Sequence, residues 1–194
     1  MMKKLYAIAL CLAAWGLSLG AAAQVAQPAA PATTSFRYAT GPITGFAVGL
    51  TDWVTLNGST TKEVTITAIS LCGTATAPAT LDILLIKRSA LDTGGGSASR
   101  TAANLTGNNV AATSVFAVYT ANPTAVGTAA GNVDVKKLNV GPPGTAGCLN
   151  LEYGTRGAAP VILRGPASNL AINFNGVTVP AGLSLNAMVE VIEQ

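Results

Sequence analysis

The chain has 194 residues, 11 basic and 8 acidic side chains, a formal charge of +3 and no histidine. Histidine-based catalytic triads, cysteine–histidine pairs and most zinc sites are therefore excluded, and the charge is too small for a nucleic-acid footprint. Charged residues make up only 10% of the chain, against 21 glycines and many Thr and Val, a composition that argues for an all-β protein with many turns.

Met1-Met2-Lys3-Lys4 opens the chain, an apolar run follows from Leu5 to Leu19, and Ala21-Ala22-Ala23-Gln24 closes the segment. A basic start, an apolar centre and small residues before a polar one predict a signal peptide over residues 1–23, hence export to the periplasm, the cell surface or the medium. An uncleaved membrane anchor is the competing reading, since Leu5 to Ala23 is nearly long enough to span a bilayer. Gly16, Ser18 and Gly20 weaken it. Cys11 does not make a lipoprotein site, because Leu10 stands where a small residue is needed and the apolar run continues past it. Cleavage leaves residues 24–194 with nine basic and eight acidic groups, a net charge of +1 and no membrane attachment. Such a chain suits one domain that buries roughly 70% of its unfolded surface. Cys72 and Cys148 remain, and in an exported protein an even pair is expected to join. Two separate buried thiols are the alternative. A bridge across that span would contribute about 4.5 kcal/mol in the chain-entropy model.

Residues 24–35 form a Pro/Ala/Thr leader without enough large apolar residues to fold, and the domain is expected over 36–194. Strands are predicted at Phe36 to Tyr38, Ile43 to Leu50 and Trp53 to Leu56. Lys62 to Cys72 puts Val64, Ile66 and Ala68 on one face and Thr65 and Thr67 on the other, with Ile69 and Leu71 falling on the threonine side. Leu81 to Arg88 is apolar on both faces, so it sits centrally or meets another subunit. Ser89 to Ala112 reads as a long polar loop. Its Gly94-Gly95-Gly96 is no phosphate cradle, because no lysine or strand-to-helix context accompanies it. Ser114 to Thr120, Val133 to Val140 and Cys148 to Tyr153 are further strands, and Lys136-Lys137 marks a solvated edge that discourages aggregation.

The last quarter, Val161 to Gln194, holds three alternations. The cleanest runs from Leu183 to Val191, with every odd position apolar. Leu170, Ile172 and Phe174 alternate with Ala171, Asn173 and Asn175, and Asn175-Gly176 supplies a turn. Such faces are buried only against a second sheet, so the expected fold is a two-sheet antiparallel sandwich, a jelly roll, with a closed barrel as runner-up.

Chemistry is sparse. Eight carboxylates are available to a mature chain (Asp52, Glu63, Asp82, Asp92, Asp134, Glu152, Glu190 and Glu193), and none pairs with another in a recognisable spacing. Glu190 and Glu193 fall on opposite faces of the last strand. No Asp-x-Asp-x-Asp-Gly run or other metal pattern is present, and nothing calls for a cofactor. No residue is assigned a catalytic role.

Thr55 to Ser89, Tyr119 to Thr124 and Leu170 to Glu193 resemble a module of uncharacterised tailed-phage and prophage virion structural proteins, a resemblance that spans about Phe36 to Glu193. It implies a non-catalytic structural or assembly role, in a homo-oligomer or a larger particle such as a virion, and no site residues. The export signal and the cysteine pair depart from that pattern, which leaves a bacterial surface protein as the other setting. Leu84 and Ile86 are the expected self-association face. The alternative is a secreted carbohydrate-binding, adhesin-like sandwich, with Trp53 as the candidate stacking platform. A role for Trp53 as a core anchor outweighs that one.

Overall fold

The computed structural model describes residues 33–46, 49, 51–155 and 159–194. The expected signal peptide and most of the leader lie outside the described residues, as does part of the Ile43 to Leu50 segment. No helix occurs among the described residues.

The pairing is nested like one long rolled hairpin. β1 (Thr34–Ala39) pairs with β12 (Ser184–Glu193), and β2 (Asp52–Asn57) with β11 (Asn169–Asn173). β3 (Glu63–Thr74) pairs with β9 (Gly147–Glu152) and β10 (Val161–Arg164), and β4 (Ala79–Arg88) with β8 (Ala129–Val140). Rolling the ribbon brings β12 against β3 and β11 against β4. Two antiparallel sheets result, and their order is that of a jelly roll. Sheet 1 runs from β10 and β9 through β3 and β12 to β1; sheet 2 runs β2-β11-β4-β8. Between β4 and β8 the chain inserts β5 (Ser97–Arg100), β6 (Ala103–Asn104) and β7 (Val115–Tyr119). β7 and β5 widen sheet 2 beyond β2, and β6 widens sheet 1 beyond β1.

The core fills the space between the sheets. Phe36, Tyr38, Val64, Ile66, Leu185, Val189 and Val191 point in from sheet 1, and Val54, Leu56, Leu81, Ile83, Leu85, Phe116 and Ile172 from sheet 2. Each aliphatic residue so buried contributes about 1.5–3 kcal/mol. In β12 the odd positions from Leu185 to Val191 are all buried, as the alternation predicts.

β3 departs from strict alternation at one place. Glu190 of β12 opposes Ala68, and Val191 opposes Ile66, so Thr67 is an extra residue in a β-bulge. The bulge turns Ile69 and Leu71 to the face of Val64 and Ile66, where both are buried. Their expected place on the threonine side is corrected accordingly. The Asn175-Gly176 turn is present. Both residues have positive φ (58° and 66°), and the Val177 N–H donates to the Phe174 carbonyl at 3.2 Å, a type I′ turn.

Other boundaries move. Ile43 makes only an isolated bridge to Leu185, and Gly45 and Gly49, both in the left-handed region, interrupt the expected strand. β1 begins at Thr34 rather than Phe36, and β8 at Ala129 rather than Val133. The long polar segment contains β5 and β6, which carry no apolar alternation to announce them.

Cys72 and Cys148 stand directly opposite each other on β3 and β9 and form a disulfide, which disposes of the two-thiol alternative. At this edge a Cβ on Gly147 would lie 1.5 Å from the Asn139 carbonyl oxygen. Only glycine lets the start of β9 pass so close to the end of β8.

Candidate functional site

The outer face of sheet 2 divides into a covered half and an open half. The covered half lies under an irregular flap formed by the chain on either side of the insert. Ser89 N–H donates to the Thr128 carbonyl at 2.9 Å, and Thr93 and Ala125 exchange two backbone bonds. Beneath it Arg88 grips Asp52: Nη2 donates to Oδ1 at 2.9 Å, and Nε lies 2.8 Å from Oδ2 in poor alignment. Asn173 donates its amide to the same Oδ1. Arg88 Nη1 donates to the Gly127 carbonyl at 2.7 Å, while the Gly127 N–H donates to Asp92 Oδ1 at 2.8 Å. The Gly127 carbonyl thus ties the flap to the sheet through Arg88, and its N–H ties the two arms of the flap together through Asp92.

Asp52 and Asp92 meet around a single guanidinium, a pairing that no sequence spacing shows, because the residues come from a strand and a loop 40 positions apart. Burial, opposed by the Gly127 hydrogen bond and reinforced by the Asp52 charge, raises the Asp92 pKa. Burial and the Asp92 charge also raise the Tyr119 phenol. Two neighbouring carboxyl groups could serve general acid–base chemistry. Here both side chains are fully enclosed and face their own flap, so the arrangement works as a clamp.

A second buried carboxylate fastens the other end of the insert. Glu193 accepts bonds from the Thr113 N–H and hydroxyl and from the Ser114 N–H and hydroxyl, at 2.7–3.0 Å. Lys62 Nζ lies 3.6 Å away. Burial alone would raise this carboxyl, but the bonds from Ser114 and Thr113 outweigh it and hold the pKa below the ordinary range.

The open half lies along β4 and β8. Asp82, Leu84, Asn132, Val135, Lys137 and Asn175 line a depression of about 510 Å³. Val135 is 58% exposed, the highest value among the exposed large apolar side chains of the described residues, and Leu84 beside it is half-buried. Lys137 pairs with Asp82 at 2.6 Å and Lys136 with Asp134 at 3.1 Å. Burial, with the Asp134 charge nearby, pushes the Tyr153 phenol up to about 12.

The expected site residues separate on this surface. Leu84 lies in the open depression. Ile86 does not: it is only 9% exposed, and Arg88, two residues along the same face, is already tied to the flap. Ile86 is therefore withdrawn from the exposed face. Val135 joins Leu84 instead, although in sequence it is only one valine in a mixed strand. Trp53 is fully buried, stacked on Phe174 at 5.5 Å with Phe46 at its edge, so its ring offers no platform to a ligand. No described Trp, Tyr or Phe is exposed. Among the described residues no cluster of His, Cys, Asp and Glu could hold a metal ion. Comparison with protein-family models, with curated proteins and with solved structures gives no match.

Proposed function

We propose that this chain is a non-catalytic structural module that works by packing its outer sheet face against copies of itself or a larger particle, as the virion-like or exported surface role would require. The observation that carries this reading is the Leu84–Val135 depression, apolar at its floor and left open on a face whose other half is closed by the flap. Isolated exposed valines need no explanation, but an apolar depression beside a free strand edge is a place for a partner. A non-catalytic role is supported by the lack of histidine and by the enclosure of Asp52 and Asp92, the one close carboxylate pair described above. Against the carbohydrate-binding alternative stand the burial of Trp53 and the lack of an exposed Trp, Tyr or Phe among the described residues.

The test is light scattering of the exported protein at micromolar concentration beside Leu84→Lys, with circular dichroism to verify both folds. A multimer that falls to one-chain mass in the variant supports the proposal. A wild-type monomer that binds glycans on an array would replace it with the adhesin reading.

A further inference from the structure

From the geometry of β8 we infer that the contact is a two-fold one between two copies of this chain, with β8 laid antiparallel against β8 and Val135 on the axis. The inference rests on the self-association proposed above and specifies its partner and register.

Among the described residues β8 ends sheet 2, with β4 as its only strand partner in that sheet. Its last residues are closed off by Gly147, which packs on the Asn139 carbonyl. Toward its start, Val133 is an extra residue: Leu85 opposes Asp134 while Ile86 opposes Asn132. The regular open stretch is therefore short, Asp134 to Lys137. Within it, the Val135 N–H donates to the Asp134 carboxylate at 2.9 Å, so a side-chain oxygen holds the place that a further strand's carbonyl would take.

Lysines at an edge ordinarily repel other strands. Here Asp82 and Asp134 neutralise both within the chain, and the sequence Asp134-Val135-Lys136 is its own complement under a two-fold. With Val135 opposite Val135 of the second copy, Asp134 of each chain stands opposite Lys136 of the other, on one face of the joined sheet. On the other face the two valines meet, each flanked by its own Leu84, and the apolar floor becomes continuous across four strands. As Asp134 turns to the lysine of the second copy, it releases the Val135 N–H to that copy's carbonyl. Such an isologous contact closes at two chains, and the bulge on one side and Gly147 on the other keep the pairing from lengthening.

Charge reversal reads the register. Asp134→Lys alone places lysine against lysine, and Lys136→Asp alone places aspartate against aspartate, so each variant should dimerise at least about tenfold more weakly than the unaltered protein. An equimolar mixture should recover a dimer, because each variant then complements the other. These side chains are on the surface, and circular dichroism verifies that the fold is kept. Val135→Cys adds a second reading: oxidation should link two chains through the new thiol, as a non-reducing gel shows. If the unaltered protein is a dimer but neither reversal weakens it and the mixture behaves like its parts, the register is wrong while the self-association proposal stands. An unaltered protein of one-chain mass overturns both.

Discussion

Glu193→Gln is the sharpest probe of how the insert is held. The substitution keeps the side chain's shape and removes its charge. One oxygen remains to accept from the Ser114 N–H and hydroxyl and from the Thr113 N–H, which donates to both carboxylate oxygens at 3.0 Å in the wild type. The new amide group faces the Thr113 hydroxyl, which can reverse and accept. The loss is therefore the charge assistance of these bonds, about 2 kcal/mol. At roughly 2–4 °C per kcal/mol for a domain of this size, the melting temperature at pH 7 should fall by roughly 4–8 °C. The pH dependence gives an independent check. The folded pKa lies below the unfolded value, so between the two the unfolded chain binds more protons and stability rises with pH. The advantage of wild type over Glu193→Gln is therefore complete above the unfolded carboxyl range, and it disappears as pH falls through the folded pKa. Thermal melts of both proteins in steps from neutral to strongly acid pH measure this. Equal melting temperatures at pH 7, or a gap that widens on acidification, would refute the reasoning.

Asp92 has the opposite sign. Its raised pKa means that the folded state holds a proton more tightly than the unfolded one, a contribution lost as pH rises through the folded value. Asp92→Asn keeps an oxygen for the Gly127 N–H, so its stability relative to wild type should improve steadily from acid to neutral pH in urea titrations; a flat difference contradicts the clamp. Arg88→Met leaves Asp52 buried without its counter-charge and should cost about 3–5 kcal/mol in the same titrations. Reducing Cys72–Cys148, which closes a span of 76 residues, should lower stability by about 4.5 kcal/mol, or less if native strain is relieved. Leu185→Asp or Val189→Asp should prevent folding, since each buries an unpaired charge, while Asn186→Asp on the exposed face should melt as wild type does. Similar melting of all three would show the face assignment to be wrong.

The parts of the fold legible in sequence are those governed by short-range period and turn chemistry. Leu185 to Val191 declares its buried face because one strand in one register determines it, and Asn175-Gly176 declares its turn because both positions need positive φ. Thr67 is different. Its bulge exists only in relation to the register of β12, so two alternations, each consistent locally, meet out of phase at Thr67. β5 was invisible because Ser97, Ala98 and Ser99 lie in an exposed edge strand and need no apolar face. The polar clamp could not be read at all, since Asp52, Arg88, Asp92 and Asn173 meet only after the ribbon has rolled. The same folding event separates Leu84 from Ile86: the two are alike in sequence, but the covered half of the sheet begins between them.

The claim that this fold works by self-association is tested most directly by sedimentation equilibrium of the unaltered protein across micromolar concentrations. A mass of two chains, or a rise toward it with concentration, is the predicted result. A constant mass of one chain across that range would contradict the account.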